Sequence, residues 1–228
     1  MSEMLIEVEG GKRKRLKTAN KICKDDILIS GLGNSHNPLE YAYTLPQVYK
    51  YVSFSKNYEL TMDCPRIKDL WQMLHSASGL RKLTLKGNTV KQTITMSEFA
   101  TNARDLEEVD FSEFNLVVDT VRNAFGGCNK LRSIIGEFDF SKATDVSGFQ
   151  NCPLLEEIRL KPDSLSLSIC FAASSELSTE SVDSIIDGLM DMTGKETRVL
   201  TFYPDIRSSL ENDPVRLTKI NDKNWDLA

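Results

Sequence analysis

Carboxylates are the first residues in this chain with the types and spacing for chemistry. Glu107, Glu108, Asp110 and Glu113 crowd one stretch, and Glu156 and Glu157 repeat the adjacent pair further on. Two such acids could cleave a glycosidic bond as acid and base, or hold calcium. A calcium loop would need a D-x-D-x-D-G series, which is missing. Nucleophilic catalysis would need a base beside serine or cysteine. The two histidines, His36 and His75, stand in no such constellation, and no G-x-S-x-G elbow occurs. Cys23, Cys64, Cys128, Cys152 and Cys170 form no Cys-x-x-Cys pair, so they read as buried thiols rather than metal ligands. Gly31-Leu-Gly33 follows an apolar run, but His36 stands where a dinucleotide fingerprint has its third glycine and Pro38 follows. That segment reads as a loop. No catalytic residue, metal or cofactor is expected.

The acids occupy the polar slots of a repeat. Leu80-Arg-Lys-Leu83-Thr-Leu85 has the form L-x-x-L-x-L. Leu106-Glu-Glu-Val109-Asp-Phe111, Leu131-Arg-Ser-Ile134-Ile-Gly136 and Leu155-Glu-Glu-Ile158-Arg-Leu160 follow it. Their starts lie 26, 25 and 24 residues apart, within the roughly 20–29 of leucine-rich repeats. A large apolar residue (Leu74, Phe99, Phe125, Phe149) precedes each block by six or seven positions, and twice it opens Phe-x-x-Cys, ending at Cys128 and Cys152.

The alternation in L-x-L puts the last two apolar residues on one face of a short strand and the polar ones on the other. A return segment then leads to the next block. One coil cannot bury its apolar face alone, so neighbours must stack. The expectation is an α/β fold: a leucine-rich repeat solenoid with a curved parallel sheet and short helices or turns on its convex side. A small extension over residues 1–45 would precede a repeat domain over 46–228 with atypical terminal coils.

Stacking the blocks arranges the outward face in rows. One runs Lys82, Glu108, Ser133, Glu157; the next Thr84, Asp110, Ile135, Arg159; the third Lys86, Ser112, Glu137, Lys161. With strands about 4.8 Å apart, Lys82 should meet Glu108 and Glu137 should meet Lys161. This face is the candidate binding surface, although it lacks the aromatic anchors that dominate interface energetics.

The ends depart from the repeat. Tyr51–Phe54 and Tyr58–Met62 read as two strands covering the first coil. Apolar residues at helical spacing from Val182 to Met190 predict an amphipathic helix capped by Ser178 or Thr179 and stopped at Gly194. Arg198–Tyr203 and the Trp225 segment (221–227) read as further strands.

The phrase Phe-x-x-Cys-x-x-Leu-x-x-Ile, with Phe138-Asp-Phe140-Ser-Lys-Ala-Thr-Asp-Val146, resembles the BspA-like leucine-rich repeats of bacterial surface and phage proteins, over residues 70–203. Of the asparagines that continue the wider pattern, only Asn88 is present; Phe114 and Asp163 stand at that place in the second and fourth copies. The segment from Arg15 to Ile27 is similar to one in phage tail-associated proteins, with Asn20 and Ile22 as departures. The resemblance implies a non-enzymatic binding or structural protein in a phage or prophage setting, whose partner is a protein or a cell-surface glycan. A bacterial surface adhesin is the alternative, and a hydrolase using the carboxylate rows the last.

Charge and hydropathy narrow the classes. The 228 residues carry a net −5, which disfavours a nucleic-acid binder. Residues 1–25 hold seven basic side chains against four acidic ones, a net +3 that leaves −8 on the remainder. Lys12, Arg13, Lys14 and Arg15 are the one stretch that could bind phosphate, and they read as a solvated turn or arm. No run is long and apolar enough for a membrane span or signal peptide. A virion-associated or cytoplasmic product is expected.

Overall fold

A computed structural model describes residues 4–8, 12–16, 53–63, 67, 69–87 and 93–228. Strands β1 (Met4–Val8) and β2 (Lys12–Leu16) form an antiparallel pair. The basic run Lys12–Arg15 is therefore part of a strand rather than a turn. The resemblance segment beyond Leu16, the Gly31-Leu-Gly33 loop, His36, Cys23, Cys64 and Asn88 lie outside the described residues.

The remaining strands are β3 (Ser53–Asp63), β4 (Ser78–Lys86), β5 (Ile94–Thr95), β6 (Glu108–Glu113), β7 (Val118–Thr120), β8 (Ser133–Phe138), β9 (Glu157–Leu160) and β10 (Ile169–Phe171). Helix α1 (Thr179–Gly188), β11 (Arg198–Phe202), α2 (Pro204–Glu211), α3 (Pro214–Asp222) and β12 (Trp225–Leu227) complete the chain. The fold is α/β, with mostly parallel strands and a few short helices. Five strands form one parallel sheet in the order β3-β4-β6-β8-β9, so the four L-x-x-L-x-L blocks lie side by side. Leu83 stands opposite Val109, and Val109 opposite Ile134.

The alternation sets which side is core. Leu80, Leu83, Leu85, Leu106, Val109, Phe111, Leu131, Ile134, Leu155, Ile158 and Leu160 are all buried. The upstream anchors pack beneath them, and Leu74, Phe99, Phe125 and Phe149 are fully shielded. Ring follows ring through the stack: Phe99 to Phe125 5.8 Å, Phe125 to Phe149 5.7 Å, Phe149 to Phe171 5.5 Å, Phe171 to Phe202 6.1 Å. Each coil thus uses its aromatic residue to cover the next.

The return segments of the repeated coils are turns, held by an alternating hydrogen-bond scheme. The N–H groups of Met73, His75 and Ala77 bond within their own coil. Those of Leu70, Gln72, Leu74 and Ser76 reach Thr95, Ser97, Phe99 and Thr101 of the next. The following coil repeats this, from Met96, Glu98, Ala100 and Asn102 to Thr120, Arg122, Ala124 and Gly126. Directing successive N–H groups both ways requires left-handed backbone at matched places. Gln72, Glu98 and Asn123 have φ of 52, 55 and 52°, and Ser76, Asn102 and Gly127 have 57, 60 and 79°. Backbone groups shut away from water are thereby satisfied.

The terminal elements differ from the sequence reading. The two strands expected at 51–62 are one strand, Ser53–Asp63, whose register slips between Ser53 and Tyr58. Helix α1 starts where expected, with the Ser178 hydroxyl accepting from the Ser181 N–H. It ends at Gly188, not Gly194. A side chain at Gly188 would meet the Leu160 Cβ at 2.8 Å, and Leu189 turns extended (φ −63, ψ 128) to bridge Leu165. The helix lies along β9 in the place of a sixth strand. Its hydroxyls satisfy the open edge: Ile158 N–H donates to Ser181 Oγ (3.1 Å) and Leu160 N–H to Ser184 Oγ (3.0 Å). β10, which precedes α1, joins β11 and β12 in a separate parallel sheet, with Trp225 buried and its Nε1–H on the Met190 carbonyl. Asn221 and Asp222 finish α3, so only the end of segment 221–227 is a strand.

Candidate functional site

The outward face of β4, β6, β8 and β9 carries every residue of the candidate surface, and backbone register decides which of them meet. The first row forms as expected. Lys82 opposes Glu108, Glu108 opposes Ser133, and Ser133 opposes Glu157. Lys82 and Glu108 are ion-paired, and Ser133 Oγ donates to Glu157 at 2.6 Å.

The other two rows break. Thr84, Asp110 and Ile135 align, but Arg159 stands opposite Glu137 instead of Ile135. Lys86 stands opposite Glu113 instead of Ser112, with its amine 2.6 Å from that carboxylate. Lys161 does not take Glu137 but Asp139, at 2.6 Å. The cause in β8 is Gly136, with φ of 123°, where a Cβ would lie 3.0 Å from the Phe111 Cβ. The strand is irregular there, and the residues beyond it move two places relative to their partner, from Ser133 opposite Glu157 to Glu137 opposite Arg159. A slip of this kind cannot be counted from leucine spacing.

A further row was missed. The first polar slot of each block holds Arg81, Glu107, Arg132 and Glu156, alternating in sign from coil to coil. Arg81 is ion-paired with Glu59 of β3 and reaches Glu107 at 3.6 Å; Arg132 is ion-paired with Glu156. The signal was present in the dipeptides Arg-Lys, Glu-Glu, Arg-Ser and Glu-Glu, read as a series instead of one by one. Exposed pairs contribute about 0–1 kcal/mol each. Together they favour one stacking order, because a shifted coil would face like charges.

These contacts govern what the acids can do. Glu108 and Glu157 lie two strands apart, about 10 Å by strand spacing, with Ser133 between them and a different partner on each. At Asp110, burial pushes the carboxyl pKa up, but the Ser112 hydroxyl and N–H, with Lys82 and Lys86, hold it below the ordinary carboxylate value. Asp139 behaves alike: burial raises, while Lys161 and Ser141 lower it further. Among the described residues, Ile135, Glu137 and Arg159 form the exposed part of the face with neither a close ion pair nor a side-chain hydrogen bond, whereas Asp110 is held by Ser112 and Glu157 by Ser133, and Ile135 is 37% exposed.

The cysteines of the Phe-x-x-Cys phrase are structural. Cys128 Sγ donates to the Ala100 carbonyl at 3.1 Å and Cys152 Sγ to the Phe125 carbonyl at 3.4 Å, each reaching the preceding coil. Ser174 continues the series onto the Cys152 carbonyl at 2.9 Å. Burial pushes the Cys128 thiol up to about 12 and the Cys152 thiol well above its usual value, so both stay protonated. Cys170 is half-buried on β10. His75 lies half-buried on the turn segment of the first coil, 3.8 Å from Glu98. Among the described residues no His, Cys, Asp and Glu cluster could hold a metal ion, and no helix is long and apolar enough to cross a membrane.

Comparison with protein-family models, with curated proteins and with solved structures finds no match to this chain.

Proposed function

We propose that this chain is a non-enzymatic binding or structural protein: a BspA-like leucine-rich repeat solenoid that displays its sheet face to another macromolecule. The setting is phage or prophage, with residues 1–45 as the attachment segment and a protein or cell-surface glycan as partner. The observation carrying the reading is that the L-x-x-L-x-L blocks pair as successive neighbours in one parallel sheet, with Leu83 opposite Val109 and Val109 opposite Ile134. Core side chains are spent on stacking, and what remains outside is a polar sheet surface. Most ionic groups there are engaged with each other, so the patch at Ile135, Glu137 and Arg159 is the part with donors, acceptors and apolar area to offer.

The test compares intact wild type with the triple variant Ile135→Asp, Glu137→Arg, Arg159→Glu, immobilised and exposed to host-cell proteins and to a glycan array. All three sites are exposed, so the variant should melt within a few degrees of wild type. A specific partner held by wild type and lost by the folded variant supports the reading. Identical capture by both proteins removes this face from the proposal.

A further inference from the structure

The most unusual crossover in the chain is the α2–α3 pair, which joins two adjacent parallel strands, β11 and β12. The turn segments of the earlier coils are stitched to the next coil by backbone bonds at every second residue. Among the described residues, the backbone-to-backbone hydrogen bonds that leave residues 204–222 are confined to the two ends: Arg207 N–H to Tyr203 at the start of α2, and the Lys223 and Asn224 N–H groups to Asn221 at the end of α3. Its apolar attachment is also thin. Helix α2 buries Leu210, α3 buries Ile220, and Ile206 is half-buried against the core. Beneath the pair runs a cleft of 240 Å³ lined by Leu177, Val182, Ile206, Leu210 and Arg216, among others. That is below the roughly 300–1,000 Å³ of small-molecule sites, and it marks incomplete packing.

Charge supplies what packing does not. The acids at the start and end of one turn of α1, Asp183 and Asp187, face basic residues of α3. Arg216 bonds Asp183 through two nitrogens, Nε at 2.6 Å and Nη2 at 2.9 Å, and Asp213 through Nη1 at 2.9 Å. Lys219 reaches Asp187 at 3.0 Å, and Lys223 reaches Asp163 at 2.8 Å and the Leu189 carbonyl at 2.5 Å. The two ends suit hinges. Tyr203 caps α2 with no side-chain hydrogen bond. Asn224, at φ 60°, is pinned by its amide to the Met192 and Lys195 carbonyls.

We propose that α2–α3 is a charge-latched flap: residues 204–222 swing away from α1 as a unit, uncovering the apolar cleft at Leu177 and Val182, while β11 and β12 stay paired. The bidentate Arg216–Asp183 contact is the latch, and Lys219–Asp187 supports it, while Lys223, on Asp163 and the Leu189 carbonyl, anchors the fixed end of the segment. Opening loses few apolar contacts and no backbone ladder, so it falls at the low-stability end of the molecule. Salt acts on it directly, because partly exposed pairs are screened within about 3 Å at 1 M ionic strength.

Hydrogen exchange on the full chain, resolved by peptide, tests this. In wild type, amides in 204–222 should exchange about tenfold faster at 1 M than at 0.05 M sodium chloride, while β4, β6 and β8 change less than twofold. Arg216→Met at low salt should reproduce the salt effect in the flap, and further salt should then add little. Exchange of flap and sheet changing together, in salt or in the variant, would show one cooperative unit and overturn the proposal. So would a flap indifferent to salt. If Arg216→Met is globally destabilised, Lys219→Gln with the wild-type salt series decides the matter, since it leaves the Arg216 cluster intact.

Discussion

Replacing Phe149 by alanine probes the fold where its coils are tied together. The ring is fully buried. It lies 5.7 Å from Phe125, 5.7 Å from Phe138, 6.4 Å from Phe140 and 5.5 Å from Phe171, centroid to centroid. Truncating such a ring costs about 3–5 kcal/mol in a core that cannot collapse, and aromatic pairs add about 0.5–1.5 kcal/mol each beyond area. Collapse is resisted here, because backbone bonds such as Phe125 N–H to Gly148 and Asn123 N–H to Ser147 hold the neighbouring coils at their spacing. The upper end is therefore expected, about 5 kcal/mol, which would consume much of the roughly 5–15 kcal/mol of a typical domain. Urea titration followed by far-UV circular dichroism measures it, with Phe114→Ala as comparison. Phe114 is 7% exposed and among the described residues has one ring neighbour, Phe111 at 5.8 Å, so it should lose less than half as much. Should Phe149→Ala fail to fold, Phe149→Leu is expected to lose about 1–2 kcal/mol. A Phe149→Ala loss below about 1.5 kcal/mol, or no larger than that of Phe114→Ala, would refute the argument that stacked rings couple the coils.

Ser181→Ala should cost about 1–3 kcal/mol, because Ile158 N–H loses its acceptor at a buried sheet edge; urea titration that finds no loss would mean β9 needs no edge cover. Asp139→Asn should flatten the acid limb of stability. The folded carboxyl lies below its ordinary value of 3.8, so the unfolded chain takes up the proton first. The contribution is present above about pH 4 and lost as pH falls below it. Melting temperatures from pH 7 to pH 2.5 should converge for variant and wild type at the acid end; parallel curves would contradict the Lys161 and Ser141 assignment.

How much of this could be read from the chain is clearest residue by residue. Leu83, Val109 and Ile134 aligned as counted, since a period-two pattern with one buried face tolerates no slip. Lys82 and Glu108 met for the same reason. Past the middle of each strand the counting failed, because Gly136 and the slip between Thr84 and Lys86 shift the register. Two helices went unread although Pro204 and Asp213-Pro214 are start signals; Asp213 caps α3 by accepting from the Val215 and Arg216 N–H groups. Their thin apolar content, with Leu210 and Ile220 as the buried residues, left no periodic stripe to notice.

By itself the amino-acid order determined the unit, its length and its buried side, because every coil repeats the same demand: leucines alternating above an aromatic anchor. It also carried the sign alternation from Arg81 to Glu156. Tertiary structure alone decided the contacts that depend on neighbours rather than on period. These are the left-handed turn positions that share N–H groups between coils, the thiols of Cys128 and Cys152 reaching back to carbonyls, the irregularity in β8 that hands Lys161 to Asp139, and the serine edge of α1. Each pairs residues some two dozen positions apart, with geometry set by how one coil rests on the next.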